Sequence, residues 1–269
     1  MKPFLNTLLL LFSSVLFFTI CAEGQTIEPV PVPAYHYDQP IKGVLRILSY
    51  NVRSAKGMDE KTDYNRIAAV IRDIHPEVVA LQELDSVTSR SNGIDVLKVL
   101  AQKCGMKSVF GASIPYQGGK YGIGILSEVT PLSTSFTPLP GREEKRGLLM
   151  AEFKNYLFFC SHFSLTKSDR LAAVQLINKK VTELHKRAFL AGDLNATPES
   201  EEINLLTEHW VNLSGQQPTI PSQEPKKCID YIWGINCCNF TYKIIRQEVV
   251  PEKVASDHRP VFVDISFNK

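Results

Sequence analysis

The sequence has no large excess of charge of either sign. Its 30 Lys and Arg residues nearly balance its 28 Asp and Glu residues, which leaves a formal net charge of +2. A protein that holds nucleic acid mainly through the phosphates usually carries a larger positive charge. The balance disfavours that class of protein but leaves room for a nuclease with a local basic strip.

Long apolar runs and zinc-type cysteine pairs are also scarce. The only long apolar run lies at the N-terminus, which excludes a polytopic membrane protein. None of the 6 cysteines shows the C-x-x-C spacing of zinc sites. The composition is 44% hydrophobic and 22% charged. This balance is typical of a globular domain and excludes disorder as the main architecture.

Residues 1–24 are typical of a secretory signal peptide. Lys2 precedes a short apolar run, and the small residues Ala22 and Gly24 follow it. The sequence therefore predicts an exported protein that is periplasmic, extracellular or attached to the cell surface. A retained membrane anchor is disfavoured because no stop-transfer flank follows the run. Lipidation of Cys21 is disfavoured by the bulky Ile20 before it.

The rest of the chain divides into a linker and one domain. Residues 25–43 are rich in proline and are predicted to form an extended linker. Residues 44–269 are long enough for one sizeable core. In this part, β-rich segments alternate with amphipathic ones. One such segment predicts a helix by its apolar spacing of i, i+3, i+4 and i+7, at Ile67, Val70, Ile71 and Ile74.

The number of strand segments indicates more than one small sheet. The predicted helices are few and would cover the outer faces, so a two-sheet sandwich with helices outside fits best. A doubly wound parallel sheet is the alternative. Two strand–helix–strand passages indicate a duplicated layout. The segment from Pro131 to Gly141 is interpreted as a short loop.

Polar side chains follow several of the buried strands. Asn51 ends the first predicted strand, Glu83 ends the second, and Asp193 and Asn195 follow a later one. Asp257-His258 precedes the last strand. Ends of strands on a rigid scaffold often present functional groups. Ligands made only of oxygen suit Mg²⁺, Mn²⁺ or Ca²⁺ and disfavour structural zinc.

Seven short motifs occur in a fixed order, and together they are more specific than any one alone. They are Tyr50-Asn51-Val52, Leu81-Gln82-Glu83, Tyr121-Gly122 through Ile125-Leu126-Ser127, Ser161-His162-Phe163, Gly192-Asp193-Leu194-Asn195, Ile229-Asp230-Tyr231 and Ser256-Asp257-His258. This set resembles the endonuclease/exonuclease/phosphatase superfamily, which includes deoxyribonucleases, abasic-site endonucleases and neutral sphingomyelinases. The resemblance implies a four-layered α/β sandwich, with two packed, mostly antiparallel β-sheets flanked by helices. It also implies that residues 44–269 form a catalytic domain for metal-dependent phosphoester hydrolysis.

The resemblance also implies a metal site for Mg²⁺ or Mn²⁺, with Ca²⁺ as a further possibility. Matched position by position, Glu83 is similar to the principal metal ligand. Asn51 lies beside it in that comparison. Asp257 completes the site or reaches it through water.

Catalytic roles follow from the same comparison. Asp193 and Asn195 are similar to the pair that handles the attacking water and a phosphoryl oxygen. His258 resembles the catalytic histidine, and Asp230 resembles the carboxylate that orients it. The implied contacts with the substrate phosphate are His162, Tyr121 and Arg146, together with Asn195.

One departure from the family pattern bears on the substrate. Deoxyribonucleases carry an acidic residue that supports the second histidine, and Ile123 stands at that position here. His162 therefore lacks that partner, and Asp169 in the next loop is the residue that could replace it. The departure disfavours a digestive nuclease.

The combined prediction is an exported phosphoester hydrolase that acts on phosphodiesters. Nucleic acid, a lipid head group and a small phosphorylated metabolite remain open as substrates. The alternatives are a nuclease acting on DNA or RNA and a non-catalytic binding protein that keeps the fold. A monomer with no stable protein partner is expected.

Overall fold

The computed structural model describes residues 35–182, 186–237 and 240–267. The predicted signal peptide, Cys21 and the first part of the predicted linker lie outside these residues. No helix in the described ranges is long and apolar enough to cross a membrane.

Strands dominate the described part of the chain, and helices are few. The strands are β1 Leu45–Asn51, β2 Val78–Ser86, β3 Lys107–Tyr116, β4 Gly119–Ser127, β5 Ser133–Leu139, β6 Arg146–Glu152, β7 Leu157–His162, β8 Ala188–Asp193, β9 Trp210–Asn212, β10 Asp230–Ile235, β11 Lys243–Val249 and β12 Val261–Ser266. The helices are α1 Tyr64–Ile74, α2 Val96–Cys104, α3 Lys167–Thr182 and α4 Glu201–Leu206.

The strands form two six-stranded sheets. Their orders are β11-β12-β1-β2-β4-β3 and β5-β6-β7-β8-β10-β9. In each sheet one central pair is parallel, β1 with β2 and β7 with β8, and the other pairs are antiparallel. A helix joins the strands of each parallel pair, as such crossovers require. This arrangement confirms the duplicated layout and excludes the doubly wound alternative.

Local signals explain where α1 begins and ends. The Asp63 side chain caps the N-terminus by accepting hydrogen bonds from the backbone N–H groups of Asn65 and Arg66. His75 ends the helix in a left-handed conformation with φ of 54°. Between these ends the predicted apolar face is buried, so the periodicity correctly predicted both the helix and its orientation.

Three apolar layers hold the sandwich together. One lies between α1 and α2 and the first sheet, and includes Leu48 and Tyr50. A second lies between the sheets and includes Ile47 from the opposite face of β1. The third lies between α3 and α4 and the second sheet. These layers confirm the four-layered α/β sandwich with two mostly antiparallel sheets.

Two parts of the chain differ from the expectation. The segment from Pro131 to Gly141 is not simply a loop, because it contains the edge strand β5. Pro138 is tolerated there because one side of an edge strand needs no hydrogen-bond donor. The end of the predicted linker also packs on the domain, since Tyr37 is only 3% exposed and its ring lies 5.0 Å from that of Phe262.

Candidate active site

The register of the strands brings the predicted site residues to one end of the sandwich. Asn51 pairs with Gln82 at the ends of the parallel strands β1 and β2. In the other sheet, His162 pairs with Asp193, and Asp193 faces Asp230 in the neighbouring strand. The polar ends of strands from both sheets therefore meet at a common edge.

Glu83 enters the site through an irregularity in β2. The pairing of β2 with β4 shifts register between Leu81 and Leu84, and Glu83 has a φ of 61°. Non-glycine residues rarely adopt this conformation, and a bulge of this kind re-aims a side chain. Burial raises the pKa of Glu83, and the charges of Asp193 and Asp257 raise it further, against a hydrogen bond from Asn51 that lowers it. A bound cation would stabilise this carboxylate.

Asn51 connects the two carboxylates at the centre of the site. Its Nδ2 donates hydrogen bonds to Glu83 Oε1 at 2.9 Å and to Asp193 Oδ2 at 3.0 Å. Its Oδ1 accepts a hydrogen bond from the backbone N–H of Arg53 at 3.1 Å. Both ends of the amide are thus engaged within the protein. Metal ligation by Asn51 stays a prediction.

Gly192 positions Asp193, and any other residue at position 192 would force the backbone to move. Gly192 has a φ of 157°, and a Cβ atom there would lie 1.9 Å from the carbonyl oxygen of Ser161. The backbone N–H of Asn195 donates to Asp193 Oδ1 at 2.9 Å, and Asn195 Nδ2 donates to the Phe163 carbonyl at 3.0 Å. The turn after β8 therefore holds Asp193 and Asn195 side by side.

His258 lies next to two carboxylates. Its Nδ1 is 2.9 Å from Asp230 Oδ2, and its Nε2 is 3.7 Å from Asp193 Oδ2. Thr219 Oγ1 donates to the same Asp230 oxygen at 2.5 Å. Burial lowers the pKa of His258, but the charges of Asp230 and Asp193 outweigh it and raise the pKa to about 10. Asp230 therefore contacts the His258 ring directly, and the catalytic roles of the two residues stay predictions.

His162 also faces Asp193, with 3.5 Å between Nε2 and Oδ2. Burial lowers the pKa of His162 to about 4, and the Arg146 guanidinium lowers it as well, against the charge of Asp193. The two histidines beside one carboxylate are therefore perturbed in opposite directions. Such divergence is typical of sites that carry out acid–base chemistry.

Asp169 does not support His162, contrary to the expectation. Its carboxylate accepts hydrogen bonds from Arg142 Nη2 at 2.9 Å, from the Arg142 backbone at 2.8 Å and from Ser164 Oγ at 3.3 Å. These bonds anchor the loop after β7. Asp193 takes the place of the partner that the sequence comparison found missing.

Three further predicted residues border this cluster. Burial raises the pKa of Tyr121, and the charges of Glu83 and Glu144 raise it further. Arg146 is buried with its Nη1 at 3.0 Å from Glu144 Oε1, and its Nε has no partner among the described residues. Asp257 lies 3.8 Å from the Arg53 guanidinium. Contact of these three residues with a substrate or a metal stays a prediction.

Two groups of side chains in the cluster fit a cation. Asp193, Asp230 and His258 each offer an atom within 4.8 Å of the others. A metal held by those atoms would have to replace the hydrogen bond between His258 and Asp230. Glu83 and Asp257 form the alternative set, which offers carboxylate oxygens, the ligands that hard cations such as Mg²⁺ and Mn²⁺ prefer. Glu83 and Asp257 are the candidate metal centre that the resemblance implies, and metal ligation by them stays a prediction.

Two supporting residues were not identified from the sequence. Thr219 lies in an irregular segment before β10, and no local pattern marks it as the partner of Asp230. Ser256 Oγ donates to the Asn51 carbonyl at 2.7 Å and ties the Asp257-His258 loop to β1. Ser256 is the first residue of the motif Ser256-Asp257-His258, so the sequence indicated its place in the site but not its hydrogen bond to Asn51.

The chain belongs to the endonuclease/exonuclease/phosphatase family, whose pattern it matches over residues 48–258. No curated protein is significantly similar to it in sequence.

Solved structures of this family share the fold. A family protein from Bacteroides vulgatus superposes with a TM-score of 0.70 at 18% identity, over 84% of this chain and 100% of that one. A mannosyl-6-phosphatase from Bacteroides thetaiotaomicron gives 0.67 at 18% identity, over 83% and 100%. The human Nocturnin catalytic domain with bound sulfate gives 0.63 at 15% identity, over 85% and 96%. Likeness at this level of identity establishes the architecture.

Proposed function

We propose that this protein is an exported, divalent-metal-dependent phosphoester hydrolase that cleaves phosphodiesters. The observation that carries the proposal is the series of contacts from Glu83 through Asn51 and Asp193 to His258. It joins oxygen ligands for a hard cation to an oriented imidazole. Those two groups are what the attack of water on an anionic phosphate requires. Membership of the family supports the same reaction class.

The side chains around the phosphoryl group have different roles. When bound, the cation relieves the negative charge on the phosphoryl oxygens. Asp193, held by the Asn195 backbone, orients the attacking water. His258, oriented by Asp230, contacts the phosphoryl group. Positioned acid–base groups of this kind each contribute ~10²–10⁴-fold to the rate.

Hydrolysis of bis(p-nitrophenyl) phosphate with and without EDTA tests the reaction class. We expect Mg²⁺- or Mn²⁺-dependent activity that falls at least ~100-fold in Glu83→Gln and in His258→Ala. Glu128→Gln is the matched control, because Glu128 is exposed and follows the opposite end of β4. Wild-type rates in both site variants would remove Glu83 and His258 from the mechanism.

A panel of substrates tests the preference for diesters. Plasmid DNA, RNA, sphingomyelin, inositol phosphates and mannose 6-phosphate would be compared under one set of metal conditions. The last is included because one structural neighbour is described as a mannosyl-6-phosphatase. Faster cleavage of monoesters than of any diester would contradict the proposal. Absence of cleavage across the panel, with metal supplied, would favour the non-catalytic binding protein.

Export and the monomeric state are tested by separate measurements. Residues 1–24 support export by their composition. We expect the mature protein in the extracytoplasmic fraction, with an N-terminus at Gln25, and a monomer by size-exclusion chromatography. An intact N-terminus in the cytoplasmic fraction would contradict export.

A further inference from the structure

A cavity of about 310 Å³ opens beside Glu83. It lies between the loop that follows β1 and the loop that follows β2, and its wall includes Arg53, Lys56, Asp85 and Arg90. This volume is at the small end of the range for ligand sites, ~300–1,000 Å³. Because Glu83 belongs both to this wall and to the candidate metal centre, a substrate that reacts at the centre can extend into the cavity.

Positive charge exceeds negative charge in the cavity wall. Asp85 is buried and accepts two hydrogen bonds from Arg90, at 2.9 and 3.0 Å. Arg53 and Lys56 share the carboxylate of Glu60, whose side chain is 60% exposed. Such an exposed ion pair contributes little free energy. A ligand anion can therefore replace Glu60 at small cost.

An unusual turn links Arg53 to the candidate metal centre. Arg53, Ser54 and Ala55 have φ values of 45°, 53° and 59°, a conformation that L-residues disfavour. The turn is tied to the site, since Asn51 Oδ1 accepts from the Arg53 backbone at 3.1 Å and Arg53 Nε lies 3.8 Å from Asp257 Oδ2. Backbone strain that the surrounding structure maintains is characteristic of functional positions.

Arg90 is held on the other side of the cavity. Its guanidinium lies 4.7 Å from the ring centre of Tyr116 and 5.4 Å from that of Tyr121. The pair with Asp85 uses Nε and Nη2. Two aromatic rings and one carboxylate thus orient the guanidinium, and among the described residues no hydrogen bond engages Nη1.

We propose that this cavity binds a second phosphate group of the substrate. The preferred substrate is then a phosphodiester that carries another phosphate beyond the bond to be cleaved. Guanidinium and ammonium groups bind phosphate oxygens strongly, and the Ser54 hydroxyl in the same wall supplies a further donor. A neutral sugar could not take the place of the Glu60 carboxylate beside Arg53 and Lys56. This inference rests on the proposed function, because it places the reacting phosphoryl group near Glu83.

Two chromogenic diesters that differ by one phosphate test the proposal. They are thymidine 5′-(p-nitrophenyl phosphate) and the same compound with a 3′-phosphate. We expect kcat/KM about tenfold or more higher for the second compound, with the ratio falling as salt screens the charges. The ratio should fall several-fold in Lys56→Gln and in Arg53→Gln. Lys61→Gln, an exposed lysine of the same loop outside the cavity wall, should keep the wild-type ratio.

A binding measurement separates this proposal from the proposed function. Without metal, thymidine 3′,5′-bisphosphate should raise the Tm of the wild-type protein more than thymidine 5′-monophosphate does, and Lys56→Gln should remove the difference. Equal kcat/KM for the two diesters would overturn the cavity proposal while the hydrolase stands. Absence of hydrolysis with a selective rise in Tm would overturn the hydrolase while the cavity stands. Absence of both would overturn both.

Discussion

The amide of Asn51 joins the two sheets, because its Nδ2 donates to Asp193 Oδ2 at 3.0 Å and to Glu83 Oε1 at 2.9 Å. Asn51 and Glu83 belong to the first sheet, and Asp193 ends β8 in the second. One neutral side chain therefore sets the spacing between a carboxylate from each sheet. An amide suits this place because it donates to both anions without adding charge.

Replacing Asn51 by Asp should disable the site. The substitution places a third carboxylate within hydrogen-bond distance of Glu83 and Asp193, where like charges repel. We expect kcat/KM to fall at least ~100-fold and the free energy of unfolding to fall by about 1–3 kcal/mol. Diester hydrolysis and urea denaturation measure the two effects. Asn155→Asp, in the exposed turn before β7, is the control, and wild-type behaviour of Asn51→Asp would contradict this role.

Thr219 should act on the reaction through Asp230. Thr219→Val removes the donor to Asp230 Oδ2 while keeping the size of the side chain. Since Asp230 orients His258, we expect kcat to fall about tenfold with little change in KM. Thr219→Ser restores the hydroxyl and should recover most of the rate. Equal losses of kcat in the Val and Ser variants would show that Thr219 acts through its packing rather than through its hydrogen bond to Asp230.

Tyr35 should restrain the loop that carries Asp257 and His258. Its hydroxyl donates to Glu252 Oε2 at 2.9 Å, while Glu252 Oε1 accepts from the backbone N–H groups of Val254 at 2.7 Å and Ala255 at 2.9 Å. We expect Tyr35→Phe to lower the free energy of unfolding by about 1 kcal/mol. The amides of Val254 and Ala255 should exchange hydrogen faster, as NMR or mass spectrometry would detect.

The neighbouring Tyr37 offers a matched control for that measurement. Its hydroxyl donates to Glu248 on β11 rather than to Glu252. Tyr37→Phe should therefore destabilise the protein without selectively speeding exchange at residues 254 and 255. The same pattern of hydrogen exchange in both variants would show that Tyr35 does not specifically restrain the loop.

The pH dependence of stability should contain a contribution from Cys104. Burial raises the pKa of this thiol from its ordinary 9.0 to about 11. Between those values the native thiol keeps its proton while the unfolded chain loses it, so stability falls as the pH rises. The loss at pH 10 is roughly 1 kcal/mol. Urea denaturation at pH 8 and pH 10 should show a smaller decrease in Cys104→Ala than in the wild type, and equal decreases would contradict the shift.

Patterns with a short period predicted the fold well. The spacing of Ile67, Val70, Ile71 and Ile74 indicated α1, and the apolar runs indicated the buried strands of both parallel pairs. The strand β5 was not predicted, because it contains Pro138 and lies at an edge where its burial is partial. An edge strand pairs with only one neighbour, here β6, so burial leaves a weaker pattern in its sequence.

The sequence indicated the members of the candidate site, whose roles stay predictions, but it did not indicate most of their contacts. Residues that end strands were recognisable from the motifs, and the register then places Asp193 beside His162 and Asp230. The bulge that re-aims Glu83 depends on pairing with β4, and the bond from Thr219 to Asp230 depends on a loop with no periodic signal. The pairing of Asp169 with Arg142 likewise follows from tertiary packing. Such contacts arise only when the sheets and loops are assembled.

The division of the site between the two sheets has a consequence for biosynthesis. Glu83 comes from the first sheet, Asp193 and Asp230 come from the second, and His258 lies between β11 and β12 near the end of the chain. A nascent or half-folded chain therefore lacks the complete set of site residues and would be inactive. The time at which catalytic activity first appears during refolding would therefore report when the two sheets dock.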